Sequence, residues 1–407
     1  MTYTWSLCSA GTATVNGVVH DFQIKHYDES SVYGIAHGRV SKLWLRRRGD
    51  AHAVLSFDRG WERDEPGRRG KKTMNKFFIG LGLLMSVGLL STASAQDAEL
   101  HSEQSKQEQR LAGVFPPGVK TIACITPASY PGSSSYRLCP ELLNKAGYKV
   151  KVFPHSFDKP QPGKKYAPLE GRLEDFYAAW NDPEVDFILC FRGGGGSQGL
   201  VTALDLNKLK KRDNLYLQGY SDVTHVISWM LAKGYGRPTA GPMCGSLVGI
   251  TPECLREMKA MHHGEQIGPV PVKKMLGGDA SGLAYAGSLG RMSEIAQSDY
   301  RPSMAGRIVF IESVATPTEN IRRFLQILVD REFCKGASAV VFCQFIRCGE
   351  KAEVDAVLEE FAPKFGIPVY RDFPFGHSPR CYTLDFSRRA DIRNDAITFP
   401  AVETAGK

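Results

Sequence analysis

Three observations predict an α/β fold with two linked bodies, preceded by a small β-rich module at the extreme N-terminus. From Val119 onward, short apolar runs alternate with helix-patterned stretches, as in a parallel sheet covered on both faces. Loops bearing reactive residues fall where those strands end, which is where open α/β sheets place their sites. A signal-like segment separates this body from a leading stretch patterned for strands. The expected organisation is a β-rich module over 1–66, a signal peptide over 74–95 and a linker over 96–115. An N-terminal parallel α/β sheet domain over 116–258, a connector over 259–281 and a C-terminal β-rich α/β domain over 282–401 follow.

In the leading module, Thr12 to Tyr27 alternates around Asn16-Gly17, a strong hairpin dipeptide. Val32 to Leu45 and Ala53 to Phe57 read as further strands. From Met74 the chain has a basic start (Lys71, Lys72, Lys76), an uncharged apolar run from Phe77 to Leu90, and Ala93-Ser94-Ala95 before Gln96. Those are the three regions of a secretory signal with an A-x-A cleavage site. The apolar run is shorter than the ~20 residues of a membrane-spanning helix. Seventy-three residues precede it, and a start at Met74 or an overlapping frame is the expected explanation. Gln96 to Arg110 is polar, as a linker is.

In the first α/β domain, Thr121–Thr126, Lys149–Phe153, Val185–Phe191 and Leu215–Gly219 read as strands. Leu138–Ala146, Leu173–Trp180, Leu204–Arg212 and Thr224–Lys233 read as the intervening helices. The run Phe187-Ile188-Leu189-Cys190-Phe191 stops at Arg192, and four glycines and Ser197 follow. Glycine permits a sharp turn and close backbone approach. A serine at the start of the next helix would have an exposed hydroxyl beside unpaired N–H groups. Gly195-Gly196-Ser197-Gln198-Gly199 satisfies the G-x-S-x-G elbow pattern. The local residues leave three readings open: a nucleophile, an anion-holding loop, or a structural turn. Ser129 and Tyr220-Ser221-Asp222 lie in neighbouring strand-end loops.

In the second body, Ala284–Leu289, Arg307–Glu312, Ala339–Gln344 and the region of Val369 read as strands, and Ile321–Arg331 and Lys351–Phe365 as helices. Glu312 places an acid at a strand end, and His377 lies in the loop Phe375-Gly376-His377-Ser378-Pro379. Either residue alone suits an ordinary surface role. With Ser197 they supply nucleophile, base and orienting acid. His262 and His263 are read as part of a polar connector, and His225 as part of an amphipathic helix.

The 407 residues suffice for at least two cores. A net charge of +8, partly concentrated near the signal-like segment and without interleaved aromatics, is no nucleic-acid footprint. The 10 cysteines show no zinc-ligand spacing, and most are expected to be free and buried; no metal and no cofactor is expected.

From about Val119 to Pro400 the chain resembles the S66 serine peptidases, the LD-carboxypeptidases and the related microcin-immunity peptidases. Ile122 to Pro131, Arg192 to Ser197, Gly219 to Thr224, Gly241-Pro242-Met243, Phe310-Ile311-Glu312 and Gly376-His377 match that family's motifs in order. The resemblance implies a triad of Ser197, Glu312 and His377 assembled across the domain interface. It also implies removal of the terminal D-alanine from a murein tetrapeptide through an acyl-enzyme. The backbone N–H of Gln198 is expected as oxyanion donor, and Arg192, Gly194, Tyr220, Ser221 and Asp222 as substrate-binding residues. A homodimer is expected by analogy, as is a murein-derived peptide as partner, with no nucleic acid and no membrane span after signal cleavage. Export to the periplasm is expected, or a cytoplasmic location if the internal signal is unused. The sequence departs from the family at Gly195 and Gly196, at Gly287-Ser288-Leu289, at Leu384-Asp385-Phe386-Ser387 and at Pro168, which has no N–H to offer. Three alternatives stay open: a relative acting on another peptide or a peptide-nucleotide, an α/β-hydrolase-like esterase, and a catalytically degenerate ligand-binding protein.

Overall fold

The chain divides into two units, Met1–Gln104 and Ser105–Lys407. The computed structural model describes residues 5–15, 18–27, 41–47, 55–58, 61–63 and 110–402 except 134. The signal-peptide span, the linker up to residue 109 and the 32–40 part of one expected strand lie outside the described residues.

The first unit holds a five-stranded sheet, β1 (Trp5–Val15), β2 (Val18–Tyr27), β3 (Ser41–Arg47), β4 (Leu55–Asp58) and β5 (Trp61–Arg63), paired in chain order. Strands β1 and β2 are antiparallel with Val15 opposite Val18; the expected turn dipeptide Asn16-Gly17 lies outside the described residues.

The second unit contains two sheets. In the first, β6 (Thr121–Ile125), β7 (Lys149–Val152), β8 (Phe187–Cys190), β9 (Tyr216–Gln218) and β10 (Arg237–Ala240) run parallel in the order β10-β9-β8-β6-β7. Every residue of β6 and β8 is buried, as in a sheet covered on both faces. Helices α1 (Ser135–Lys145), α2 (Leu169–Asn181), α3 (Ser197–Thr202) and α4 (Thr224–Lys233) connect these strands. The expected Leu204–Arg212 helix is only a 3₁₀ turn, Leu206–Lys208. Its Lys-rich sequence offers too few apolar positions to bury a helical face.

Two short helices follow, α5 (Cys244–Leu247) and α6 (Pro252–His263). Thr251 caps α6 by accepting from Cys254 N, and Pro252 occupies its first turn. The expected connector over 259–281 is therefore a helix end followed by strands β11 (Ile267–Pro271) and β12 (Lys273–Leu276) of the second sheet. His262, read as part of a polar connector, is buried between Val114 O and Gln218 Oε1, at 3.0 and 2.9 Å. Burial lowers its pKa to about 4. The end of the expected linker is likewise core, since Leu111, Val114 and Phe115 are buried.

The second sheet adds β13 (Ala280–Ser288), β14 (Arg307–Val314), β15 (Ala339–Ile346), β16 (Val369–Arg371), β18 (Arg389–Arg393) and β19 (Ala396–Phe399). Its order is β11-β19-β18-β13-β14-β15-β16-β12, with β13 to β16 parallel. Helices α7 (Leu289–Ile295), α8 (Thr318–Asp330) and α9 (Lys351–Phe361) complete the body. The short strand β17 (Leu384–Asp385) crosses back to pair antiparallel with β10. One apolar core, from Ala123 and Cys190 to Phe310 and Phe399, runs through both sheets. The two sheets therefore share this core, while a second cluster around Phe115, Ile122, Phe187 and Leu189 packs on the first sheet.

Candidate active site

Glu312 stands near the end of β14 and is 0% exposed. The register against β15 slips between the pairs Ile311–Phe342 and Ser313–Phe345, so Cys343 and Gln344 together oppose Glu312. Such a bulge re-aims side chains at a sheet's edge of function. Here it turns Gln344 onto the loop that follows β16. Gln344 N donates to Phe375 O (3.1 Å), its Oε1 accepts from Ser378 N (3.1 Å), and its Nε2 donates to Arg380 O (2.7 Å). The loop between Phe375 and Arg380 is thus held on both sides of His377. Gly376, at φ 145°, lies so close to Gln344 and Glu312 that a Cβ there would meet Gln344 Cβ at 2.9 Å.

His377 Nδ1 lies 2.7 Å from Glu312 Oε2, while Glu312 Oε1 has no hydrogen-bond partner. A carboxylate can only accept, so Nδ1 carries the proton and Nε2 keeps a free lone pair. The His377 side chain is 19% exposed, against 0% for that of Glu312, so the open nitrogen is on the accessible side. The ring of Tyr220 packs against that of His377 at 4.9 Å between centroids. Burial pushes the Tyr220 phenol up, so it stays protonated next to Ser246 Oγ at 3.3 Å.

Ser197 does not have the exposed hydroxyl expected of it. It is 0% exposed, in the first turn of α3 behind Gly196 at φ 106°. Its Oγ lies 2.5 Å from Asp222 O and 2.6 Å from Asp222 Oδ2, so its one proton is committed to Asp222. Its N–H also donates to Asp222 Oδ2, at 3.0 Å. Among the described residues no hydrogen bond joins His377 to Ser197. The physical reason is that the glycine loop folds inward against the adjacent strand-end loop, which covers the start of α3. Gln198, the expected oxyanion donor, is exposed and next along α3.

The strained elbow sits one strand over. Ser221, between β9 and α4, has φ 61°, a left-handed value a non-glycine residue adopts only when its surroundings compel it. Its carbonyl accepts from Thr224 Oγ1 at 2.5 Å, its side chain is half-buried, and it immediately follows the Tyr220 that packs on His377. Gly193 presses onto it: a Cβ there would stand 2.7 Å from Ser221 Cβ and 3.1 Å from Asp222 N. The signal for Ser221 was present in the sequence. Gly219-Tyr220-Ser221 is itself a G-x-S at a strand-to-helix turn, but the four-glycine loop offered the fuller pattern.

Arg192 lines the other side of the glycine loop. Its Nη1 lies 3.4 Å from Tyr130 O, its guanidinium stands over the Tyr136 ring at 5.6 Å, and its Nε has no hydrogen-bond partner. Gly194, exposed at φ 115°, is beside Ser129, whose Oγ accepts from Gly195 N at 3.0 Å. Among the described residues, no group of His, Cys, Asp and Glu side chains has the arrangement of a metal site. No helix among them is long and apolar enough to cross a membrane.

Residues 122–239 match the LD-carboxypeptidase N-terminal domain and residues 281–392 its C-terminal domain. Residues 7–78 match a domain of unknown function. A murein tetrapeptide carboxypeptidase of Pseudomonas aeruginosa is 24% identical over 253 residues, covering 56% of this chain and 79% of the relative. The crystal structure of an MccF-like protein from Bacillus anthracis superposes with a TM-score of 0.61 at 20% identity, over 70% of this chain and 97% of that one. A muramoyltetrapeptide carboxypeptidase from Oxalobacter formigenes superposes at 0.58 with 23% identity, over 70% of this chain and all of its own length (100%).

Proposed function

The chain belongs to the LD-carboxypeptidase family of serine peptidases, and we propose that it removes the terminal D-alanine from murein-derived tetrapeptides, with Ser221 as nucleophile in place of Ser197. The observation that carries the serine assignment is the left-handed backbone of Ser221 beside the Tyr220–His377 contact, set against the complete burial of Ser197. A nucleophile needs an accessible hydroxyl on a strained strand-to-helix turn. The substrate assignment is supported by what the Pseudomonas and Oxalobacter relatives are named for.

In this reading Ser221 Oγ attacks the carbonyl carbon before D-alanine, and His377 Nε2 takes the hydroxyl proton. Glu312, hydrogen-bonded at Nδ1, fixes the tautomer and stabilises the imidazolium. The oxyanion is received by the N–H of Asp222, the residue after the nucleophile. Breaking the C–N bond, with His377 returning its proton to the leaving amine, frees D-alanine and leaves an ester on Ser221. Water, deprotonated by His377, then hydrolyses that ester. A carboxypeptidase must also recognise the free terminal carboxylate, and the incompletely paired Arg192 guanidinium suits that task. Export through the segment 74–95 would bring the enzyme to the compartment where murein peptides arise.

The test is incubation of the full chain with a murein tetrapeptide, following D-alanine by mass spectrometry beside Ser221→Ala. Release by the wild type and none by the variant is expected. No release from folded wild type would overturn the substrate assignment.

A further inference from the structure

The carboxylate of Asp222 has a second set of partners that the reaction scheme does not use. It is 2% exposed, and a buried carboxylate has to be paired. Ser197 supplies its N–H and hydroxyl to Oδ2, and Arg291 Nε lies 3.2 Å from Oδ1. Arg291 belongs to α7, which begins where β13 of the second sheet ends. Its Nη1 also reaches Glu294 Oε1 and Oε2 at 2.9 and 2.7 Å. Glu294 Oε2 in turn lies 2.9 Å from Nε2 of the buried His225 on α4, and His225 Nδ1 meets Tyr300 OH at 3.0 Å. Burial works against ionisation of Glu294, but the hydrogen bond from His225 and the charge of Arg291 hold its carboxyl below the usual range.

This network alternates between the two bodies. Ser197, Asp222 and His225 ride on elements of the first sheet, whereas Arg291, Glu294 and Tyr300 belong to the second. His377 and Glu312 also belong to the second. A nucleophile and its base on different sheets need their relative position fixed, and an ion pair anchored beside the nucleophile does so. A neutral contact crosses at the same place, Thr224 Oγ1 accepting from Ser288 N at 3.2 Å.

Resting on the assignment of Ser221 as nucleophile, we infer that Arg291 is a positioning residue. By clamping Asp222 against Ser197 it locks the strained Ser221 turn, and the Asp222 N–H beside it, to the sheet that carries His377 and Glu312. Arg291 meets Asp222 and Glu294 and takes no part in the bond-making steps above. Ser197, fully buried, is the other jaw of the clamp.

The experiment measures the second-order rate at which a fluorophosphonate acylates Ser221 in the full chain, with the labelled peptide located by mass spectrometry and folding followed by circular dichroism. The readout needs no murein peptide, so it is separate from the substrate assignment. Arg291→Met is expected to slow labelling about ten-fold, and Arg291→Lys to recover most of that loss. Ser197→Ala and Arg291→Met combined are expected to be less damaging than the product of their separate effects, because they act on one carboxylate. Should Arg291→Met fold poorly through its uncompensated Asp222 charge, the comparison is made in an Asp222→Asn background, where removing Arg291 is expected to change the rate less than two-fold. Wild-type labelling rates in Arg291→Met, a full second loss in the Asp222→Asn background, or multiplicative effects of the two jaws would overturn the inference. An unlabelled wild type would overturn the assignment of Ser221, and the inference with it.

Discussion

Alanine at Ser221 and alanine at Ser197 remove the same hydroxyl from two places about which the structure makes opposite statements. Ser221 is half-buried on a strained turn, and its carbonyl accepts from Thr224 Oγ1. Loss of its hydroxyl removes the attacking atom, and loss of a triad nucleophile costs roughly 10⁶ in kcat. Ser197 Oγ is instead one of three groups satisfying the Asp222 carboxylate. A hydrogen bond to a charged group is worth about 1.5–3 kcal/mol. The Ser197 N–H and Arg291 remain in the variant, so a loss of about 2 kcal/mol is expected. For a unit spanning Ser105–Lys407 that lowers the melting midpoint by roughly 3 °C. Turnover by Ser197→Ala should fall about ten-fold through the displaced Asp222, and no further than about a hundred-fold. D-alanine release and thermal unfolding by circular dichroism, run on both variants, give the comparison. A Ser197→Ala enzyme as dead as Ser221→Ala, or a Ser221→Ala enzyme that still turns over, would refute the reasoning.

Glu312→Gln keeps the shape at His377 Nδ1 but removes the charge and the tautomer control, and kcat is expected to drop by roughly 10³–10⁴ with a small change in KM; a loss under ten-fold would exclude an orienting role. His262 has its pKa lowered from 6.5 to about 4 by burial. The native state refuses a proton that the unfolded chain accepts, so this contribution is complete above about pH 6.5 and is lost as pH falls toward about 4. It amounts to about 3 kcal/mol at the acid end. His262→Gln should flatten the fall of the melting midpoint across that window, and an unchanged slope would contradict it. The nine described cysteines are free and buried, with burial pushing Cys334 and Cys381 up to about 12 and Cys244 well up. Iodoacetamide at neutral pH should leave all nine intact in the native protein and modify them in urea, because the thiolate is the reactive form; rapid native labelling of any of them would count against the buried core.

The sequence by itself determined what depends on near neighbours. Apolar runs such as Phe187 to Cys190 are strands buried on both faces, and the Thr224–Lys233 helix has the predicted bounds because Gly234 ends it in a left-handed cap. Glu312 at a strand end and His377 behind a glycine were legible as an acid and a base, and they stand 2.7 Å apart. Tertiary structure alone decided that Ser197 is buried against Asp222 and that Ser221 takes a left-handed turn next to Tyr220, which packs on His377. A G-x-S pattern specifies a turn, but exposure depends on what folds over it, and the partner that buries Ser197 is Asp222, 25 residues further on. The left-handed φ of Ser221 is likewise tied to a distant contact, since Gly193 packs against it beside the local bond from Thr224. The grip of Gln344 on the His377 loop follows from a register slip between two strands that no local pattern encodes. The same holds for residues 259–281, where short, polar-edged strands become part of a sheet only because β19 and β16 lie there to pair with them. Such pairing carries little local periodicity, because edge strands bury only part of one face.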